Sequence, residues 1–265
     1  MNVKVLLKYW RTILIVAEMT IRQQLTDGFI LFAVLFQPII IALLALWMLM
    51  DKGGDIAMFV VVGSGLTGLW SSLLFVSGNS INDERWSGTL ESLVALPTPF
   101  EVIIFGKNLA NVVQSLISMF TGYFIASLLF GYSLTVQQPL LFAISIFLTI
   151  IAFISFGLVI APVFVMNPGV RHWQNAMEFP IYVLCGFLFP IALLPGWTSP
   201  ISYLLPPYWA AIALHGTSTA GAPFNEILFA WGMMLLFSLI DLLIASRLFK
   251  IMLYKARVDA TLGME

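Results

Sequence analysis

Apolar residues run almost unbroken through six stretches of the chain, at 28–50, 56–79, 107–131, 139–166, 178–194 and 224–247. Crossing a hydrocarbon core of about 30 Å takes about 20 apolar residues in a helix. Each stretch is therefore expected to span a membrane, and short polar links after the first and third predict tight hairpins. Residues 1–26 follow a different pattern. Val5, Ile13 and Val16 alternate at helical spacing with Lys4, Lys8 and Arg11. That spacing predicts a helix lying in the headgroup layer; a plain leader into the first span is the other reading.

The longest polar interruption is 82–99, Asn82-Asp-Glu-Arg-Trp-Ser-Gly-Thr-Leu-Glu-Ser-Leu-Val-Ala-Leu-Pro97-Thr-Pro99. It gathers three acids and one base between two apolar runs. Read as a helix, Trp86, Leu90, Leu93 and Val94 share one apolar face. Glu84, Gly88, Glu91 and Ala95 form the opposite, low-profile polar face. Gly88 lacks a side chain, so a partner could approach the backbone there. A docking peg for a soluble protein and a connector whose charges merely meet water both fit this pattern.

A second irregular region follows Gly186. Pro190, Pro195, Pro200, Pro206 and Pro207 cannot share one straight helix, because each lacks an N–H and clashes with the preceding turn. Ser199 followed by Pro200 marks a helix start. Trp197, Tyr203, Tyr208 and Trp209 suit a headgroup layer. The pattern predicts a fifth span that ends early, then short helices re-entering the outer leaflet over 195–222. Broken backbone at that depth must be buried in protein or line a wet cavity. An external gate is one reading, and a surface loop with interfacial anchors is the other.

Composition sets the class. The chain has 265 residues, 60% hydrophobic and only 9% charged, with a mean hydropathy of +1.00; soluble domains carry about 25% charge. This describes a polytopic, all-α membrane protein with one membrane domain over residues 1–265. Basic residues orient it. With the N-terminus in the cytoplasm, Lys4, Lys8, Arg11, Arg22, Arg85, Lys107, Arg171, Arg247, Lys250, Lys255 and Arg257 share that side, leaving Lys52 alone outside. Both termini and the 82–99 stretch are then cytoplasmic. The lone Cys185 excludes an internal disulfide. No cleavable leader is expected, because the basic N-terminal stretch lacks a compact apolar core and a small-residue cleavage site.

Candidate chemistry is sparse. Gly63-Ser-Gly65-Leu-Thr-Gly68 fits the dinucleotide pattern but lies inside an apolar span. Ser64, Gly68 and Ser72 instead form a small-residue face for close helix contact. No phosphate-binding GxxxxGK[ST] loop occurs; Gly106-Lys107 is followed by Asn108 and preceded at 101 by Glu. His172 and His215 are expected on opposite membrane sides and cannot share a metal. No nucleophile–His–acid set and no nucleic-acid surface can be argued. Glu178 starts its span, and Asp241 stands six residues before Arg247, about 9 Å along a helix. Both are expected to reach an interface or a base, which leaves no deep acid for an ion-coupled carrier. Energy for any transport would then come from another polypeptide acting on the peg.

Glu84-Arg85-Trp-Ser-Gly88-Thr89-Leu90-Glu91-Ser-Leu-Val-Ala-Leu-Pro97 resembles the signature after the second span in permeases of type-2 ATP-binding-cassette (ABC) exporters. Gly186-Phe-Leu-Phe-Pro190, Leu194-Pro195-Gly-Trp197 and Ile201-Ser-Tyr-Leu-Leu-Pro206 resemble the same family's fifth span and outer re-entrant helices. The resemblance covers nearly the whole chain. It implies a permease half in the cell membrane that dimerises with an identical or paralogous half through its first and fifth spans. Two separate ATPase subunits would hold ATP and Mg; this chain would hold no cofactor and catalyse nothing. The 82–99 element would be the coupling helix, contacting the ATPase through Glu84, Arg85, Gly88, Thr89, Leu90 and Glu91, with the N-terminal helix bracing it. Pro190, Pro195, Trp197 and Pro206 would form the outer gate. Trp86 is bulkier than the signature leads one to expect, which bears on the depth of docking. Phe75, Phe120, Phe124, Phe153, Phe156, Phe187 and Phe189 favour an amphipathic, lipid-linked or drug-like cargo, unless they simply face lipid or other helices. The rival reading is a non-transporting anchor or signalling subunit that recruits a cytoplasmic partner through the same peg.

Overall fold

In the computed structural model, residues 3–32, 36–48, 54–131, 135–167, 169–219 and 221–258 are described. Among them the chain is helical, with no strand. Four helical runs are long and apolar enough to cross a membrane: Ala57–Trp86, Phe100–Leu129, Pro139–Met166 and Phe224–Lys255. They match the second, third, fourth and sixth apolar stretches, and the protein is a multi-pass membrane protein.

The other two stretches give shorter helices. The first contains α2 (Gly28–Leu31) and α3 (Gln37–Met48). Residues 33–35 and 49–53, including Lys52, lie outside the described residues. The fifth stretch begins well ahead of 178, as α9 (Val170–Leu184) after α8 (Pro139–Met166). Its 15 residues reach about 22 Å at 1.5 Å each. The helix stops where Gly186 turns left-handed, at φ +68°. The amide of Gly186 donates to Val183 O and that of Phe187 to Tyr182 O, at 3.2 and 3.1 Å. This paired bonding ends a helix when glycine follows its cap.

α4 (Gly54–Ser71) is the central pillar. Residues 60–74 are all buried, which is why this run is apolar without an amphipathic period. It packs on α3, on α7 (Phe100–Phe130) and on α11 (Pro206–Thr219). Its small face seats α7: Ser115 Oγ donates to Gly68 O and Ser72 Oγ to Asn111 O, both at 3.4 Å. At Gly63 the turn after α9 comes so close that a Cβ would lie 1.8 Å from Phe187 O. α8 packs against α11 and α12 (Phe224–Val258). Phe124 and Leu128 of α7, and Phe229 and Leu239 of α12, point outward. Such a surface suits lipid rather than water.

After Ser71 the pillar widens into a π-helical segment, Ser72–Ser77, in which Gly78 N donates to Leu73 O at 2.9 Å. π segments cluster at functional sites. Gln174 of α9 donates to Leu74 O at 2.9 Å, so a side chain satisfies a carbonyl of the wider turn.

Candidate functional site

The pillar leads into α5 (Ser80–Trp86), a turn, and α6 (Leu90–Val94), after which Pro99 opens α7. The 82–99 stretch is thus not one helix. It breaks at Gly88, which stands at φ +68° with open space where a Cβ would be. Gly88 N donates to Arg85 O at 3.2 Å and Thr89 N to Glu84 O at 2.9 Å. This is the same cap that closes α9. Gly88 is therefore required first for backbone shape, and its low profile is a second consequence.

The break redistributes the expected faces. Leu90 is buried, while Trp86 is 57% exposed, so the two do not share a face. The Glu84 carboxylate turns inward: Lys107 of α7 pairs with it, and the Thr89 hydroxyl donates to it. Lys107 Nζ also donates to Ser80 O at 3.1 Å. Burial pushes the Glu84 carboxyl up, but the Lys107 and Thr89 hydrogen bonds and the Lys107 charge outweigh it and hold it below its ordinary value. Arg85 is half-buried, and the side chain of Glu91 lies outside the described residues. The exposed residues of this foot include Asp83, Trp86, Ser87, Gly88, Thr89, Ser92, Ala95, Leu96 and Pro97.

α1 (Val3–Gln24) lies along α7. Gly106 lets it close in: a Cβ there would meet Ile13 O at 2.9 Å. The Asn111 amide hydrogen-bonds Gln24 at 2.6 Å and Ser77 Oγ at 2.8 Å, tying α1 to the π segment through α7. Leu7, Trp10 and Leu14 form an exposed apolar stripe beside Lys8 and Arg11, as an interfacial helix requires.

Phe100 meets Phe249 edge-on at 6.1 Å, which places the start of α7 beside the later turns of α12. The far end of the bundle carries the proline-rich region. Two short 3₁₀ turns, Ile191–Leu193 and Gly196–Thr198, lead to α10 (Ser199–Tyr203). Pro190, Pro195 and Trp197 are exposed there, whereas Pro206 is buried at the start of α11. α11 is no surface loop: nearly all of it is buried, and His215 stacks on Phe59 at 3.7 Å. The four expected gate residues are thus divided between the surface and the core.

The expected placement of the two acids is also corrected. Glu178 does not reach an interface: it is buried in α9, where it accepts hydrogen bonds from Ser71 Oγ and Tyr182 Oη at 2.8 Å and from Gln37 Nε2 at 3.4 Å. Asp241 is buried too, and its Oδ2 has no hydrogen-bond partner among the described residues. Three neutral donors from α3, α4 and α9 take the place of a base at Glu178. A buried acid is therefore present, and its supposed absence no longer argues against ion coupling.

Spacing and charge alone do not single out Lys107, Asn111 and Leu96. The first two looked like ordinary polar residues at the start of a span; only the fold aims them at the foot.

No group of His, Cys, Asp or Glu among the described residues could hold a metal. No curated protein matches the chain. The profile of the ABC-2 type transporter family matches residues 11–218, from within α1 to the end of α11. The foot, the pillar and the proline-rich region all fall inside that match, and the chain belongs to the ABC-2 type transporter family as a membrane-embedded permease component.

Proposed function

We propose that the chain is one permease half of an ATP-driven exporter, with α5, α6 and their connecting turn acting as the foot that receives work from a cytoplasmic ATPase. Each of two halves would seat one ATPase subunit, and ATP and Mg would belong to those subunits. Six membrane crossings, with both termini and the foot in the cytoplasm, agree with eleven of the twelve Lys and Arg falling on one side. The second half would pack against α3 and α9.

The observation that carries this reading is a foot tied together inside and open outside. Glu84, Thr89, Gly88 and Leu90 shape it from within, while Trp86, Ser87 and Leu96 present a surface. Force applied there has two routes inward. One runs through the Lys107–Glu84 pair into α7. The other runs through the π segment into α4, whose Gly63 touches the turn after α9. The second route ends at the segment carrying Pro190, Pro195 and Trp197, and Pro206 anchors it to the core. Movement there would open an outer gate and release cargo outward or into the outer leaflet.

An amphipathic, lipid-linked or drug-like cargo suits the aromatic spans. Phe120 stands exposed on α7, whereas Phe124 faces outward and Phe153 and Phe187 belong to the core and serve packing.

Reconstitution with the cognate ATPase tests this reading. Trp86→Ala with Leu96→Ser is expected to cut coupled ATP hydrolysis and transport about tenfold, the loss of about 1.4 kcal/mol of contact, while membrane insertion is kept. Wild-type stimulation by the double variant would reject docking at the foot.

A further inference from the structure

We propose that an aromatic corner at the far end of the bundle, built by Tyr208, Trp209 and Phe229 and closed by Glu226, is a binding site for an organic ammonium group.

The corner joins the start of α11 to the start of α12. Tyr208 and Trp209 meet at 5.0 Å with an interplanar angle of 73°, and Trp209 and Phe229 at 5.5 Å, also at 73°. The Tyr208 and Phe229 rings therefore each stand steeply against the indole. Trp209 cannot swing away: its Nε1 donates to Tyr203 O at 3.0 Å, and Tyr203 stacks on it at 5.9 Å. Tyr208 and Trp209 are buried, so these two walls are fixed; Phe229 is exposed and forms a lip. Together with Ile212, Asn225 and Glu226 they line an open pocket of about 500 Å³.

Ring faces carry negative quadrupole charge, and convergent rings are the recognised way to hold a quaternary or alkyl ammonium. Glu226 is the one charged residue of the lining, and it supplies the counter-charge. It also lies in the first turn of α12, where a carboxylate offsets the positive end of the helix that would otherwise repel a cation. Interfacial aromatic belts seat rings at the headgroup level. Here three rings and an acid border one open volume. The ammonium could belong to a phospholipid headgroup or to a soluble cation; the binding chemistry is the same.

The purified full-length chain labelled with 5-fluorotryptophan tests this. The chain has eight tryptophans, and the fluorine resonance lost in Trp209→Phe belongs to Trp209. In phosphatidylglycerol nanodiscs, tetramethylammonium should shift that resonance saturably, whereas equal sodium should not. Glu226→Gln and Phe229→Leu, both at exposed positions, should each weaken the response at least about fivefold, and Glu226→Asp should largely keep it. In phosphatidylcholine nanodiscs, a resonance already at its bound position and indifferent to tetramethylammonium identifies a lipid headgroup as the source. A resonance still free and still responsive identifies a soluble cation. No saturable shift in either nanodisc, a shift unchanged in both Glu226→Gln and Phe229→Leu, or a response to uncharged sugars but not to ammonium would overturn the proposal.

Discussion

Lys107, near the start of α7, closes on Glu84 at the end of α5, and both side chains are more than four-fifths buried. Residues 23 apart in the chain thereby lock the foot to the helix that follows it. Removing one partner leaves a largely buried charge to be rehydrated or unpaired, a cost of about 1–3 kcal/mol. Lys107→Met is expected to speed amide hydrogen exchange across 80–94 and to lower coupled transport without loss of insertion. The charge swap Lys107→Glu with Glu84→Lys should recover part of both, and a swap no better than the single change would contradict the clamp.

The same pair sets a pH dependence. The folded-state pKa of Glu84 is held below its ordinary value of 4.5. Its contribution is therefore complete above that value and disappears as pH falls through the lowered one. The foot should keep its exchange protection at neutral pH and lose it in acid. Glu84→Gln should abolish that acid-dependent step, and a step that survives the substitution would assign it to another group.

Gly88 and Gly63 look alike in sequence, yet they should respond differently to one methyl group. At Gly88 the added Cβ meets nothing, so Gly88→Ala carries only the left-handed backbone cost of about 1–2 kcal/mol. Gly88→Asn should cost less, because asparagine tolerates that region. At Gly63 the Cβ would strike Phe187 O, a backbone atom that cannot swing aside. Gly63→Ala should lower the Tm of the purified protein clearly more than Gly88→Ala. Equal shifts would contradict the close approach between α4 and the turn after α9.

Glu178 has three neutral donors around it, so its hydrogen bonds rather than its charge should matter to the fold. Glu178→Gln preserves an acceptor and is expected to change thermal stability little. Glu178→Leu leaves the Ser71, Tyr182 and Gln37 donors to find other partners, at about 1–3 kcal/mol for each one orphaned. If the glutamine variant proves as unstable as the leucine variant, the negative charge itself is needed.

Much of this architecture was legible in the chain. The long apolar runs gave four long helices, because burial in lipid or protein demands continuous hydrophobicity with internal backbone pairing. The basic, periodic N-terminus gave α1, and the prolines after Gly186 gave the broken segment. Boundaries were harder to read. α9 starts at Val170 because its early turns, although polar, pack Gln174 and Glu178 inward, whereas polarity alone places Glu178 at an interface. In the foot, helical spacing alone aligns Trp86 with Leu90, but a glycine in the left-handed region resets the direction of the chain. Lys107 and Asn111 were invisible as site residues because their roles depend on partners 23 to 87 positions away.

The most direct test of the central claim is site-specific cross-linking from the foot, combined with sided labelling. A photo-reactive residue at Trp86, Ser87 or Leu96, in membranes also containing the ATPase, is expected to capture that subunit. The same probe at Phe124 or Leu128, on the outward face of α7, should capture none. A cysteine at Ser87 should react with an impermeant reagent only in inside-out vesicles, and the buried Cys185 should stay silent. Foot probes that capture no ATPase, or a Ser87 cysteine labelled in right-side-out vesicles, would contradict the account.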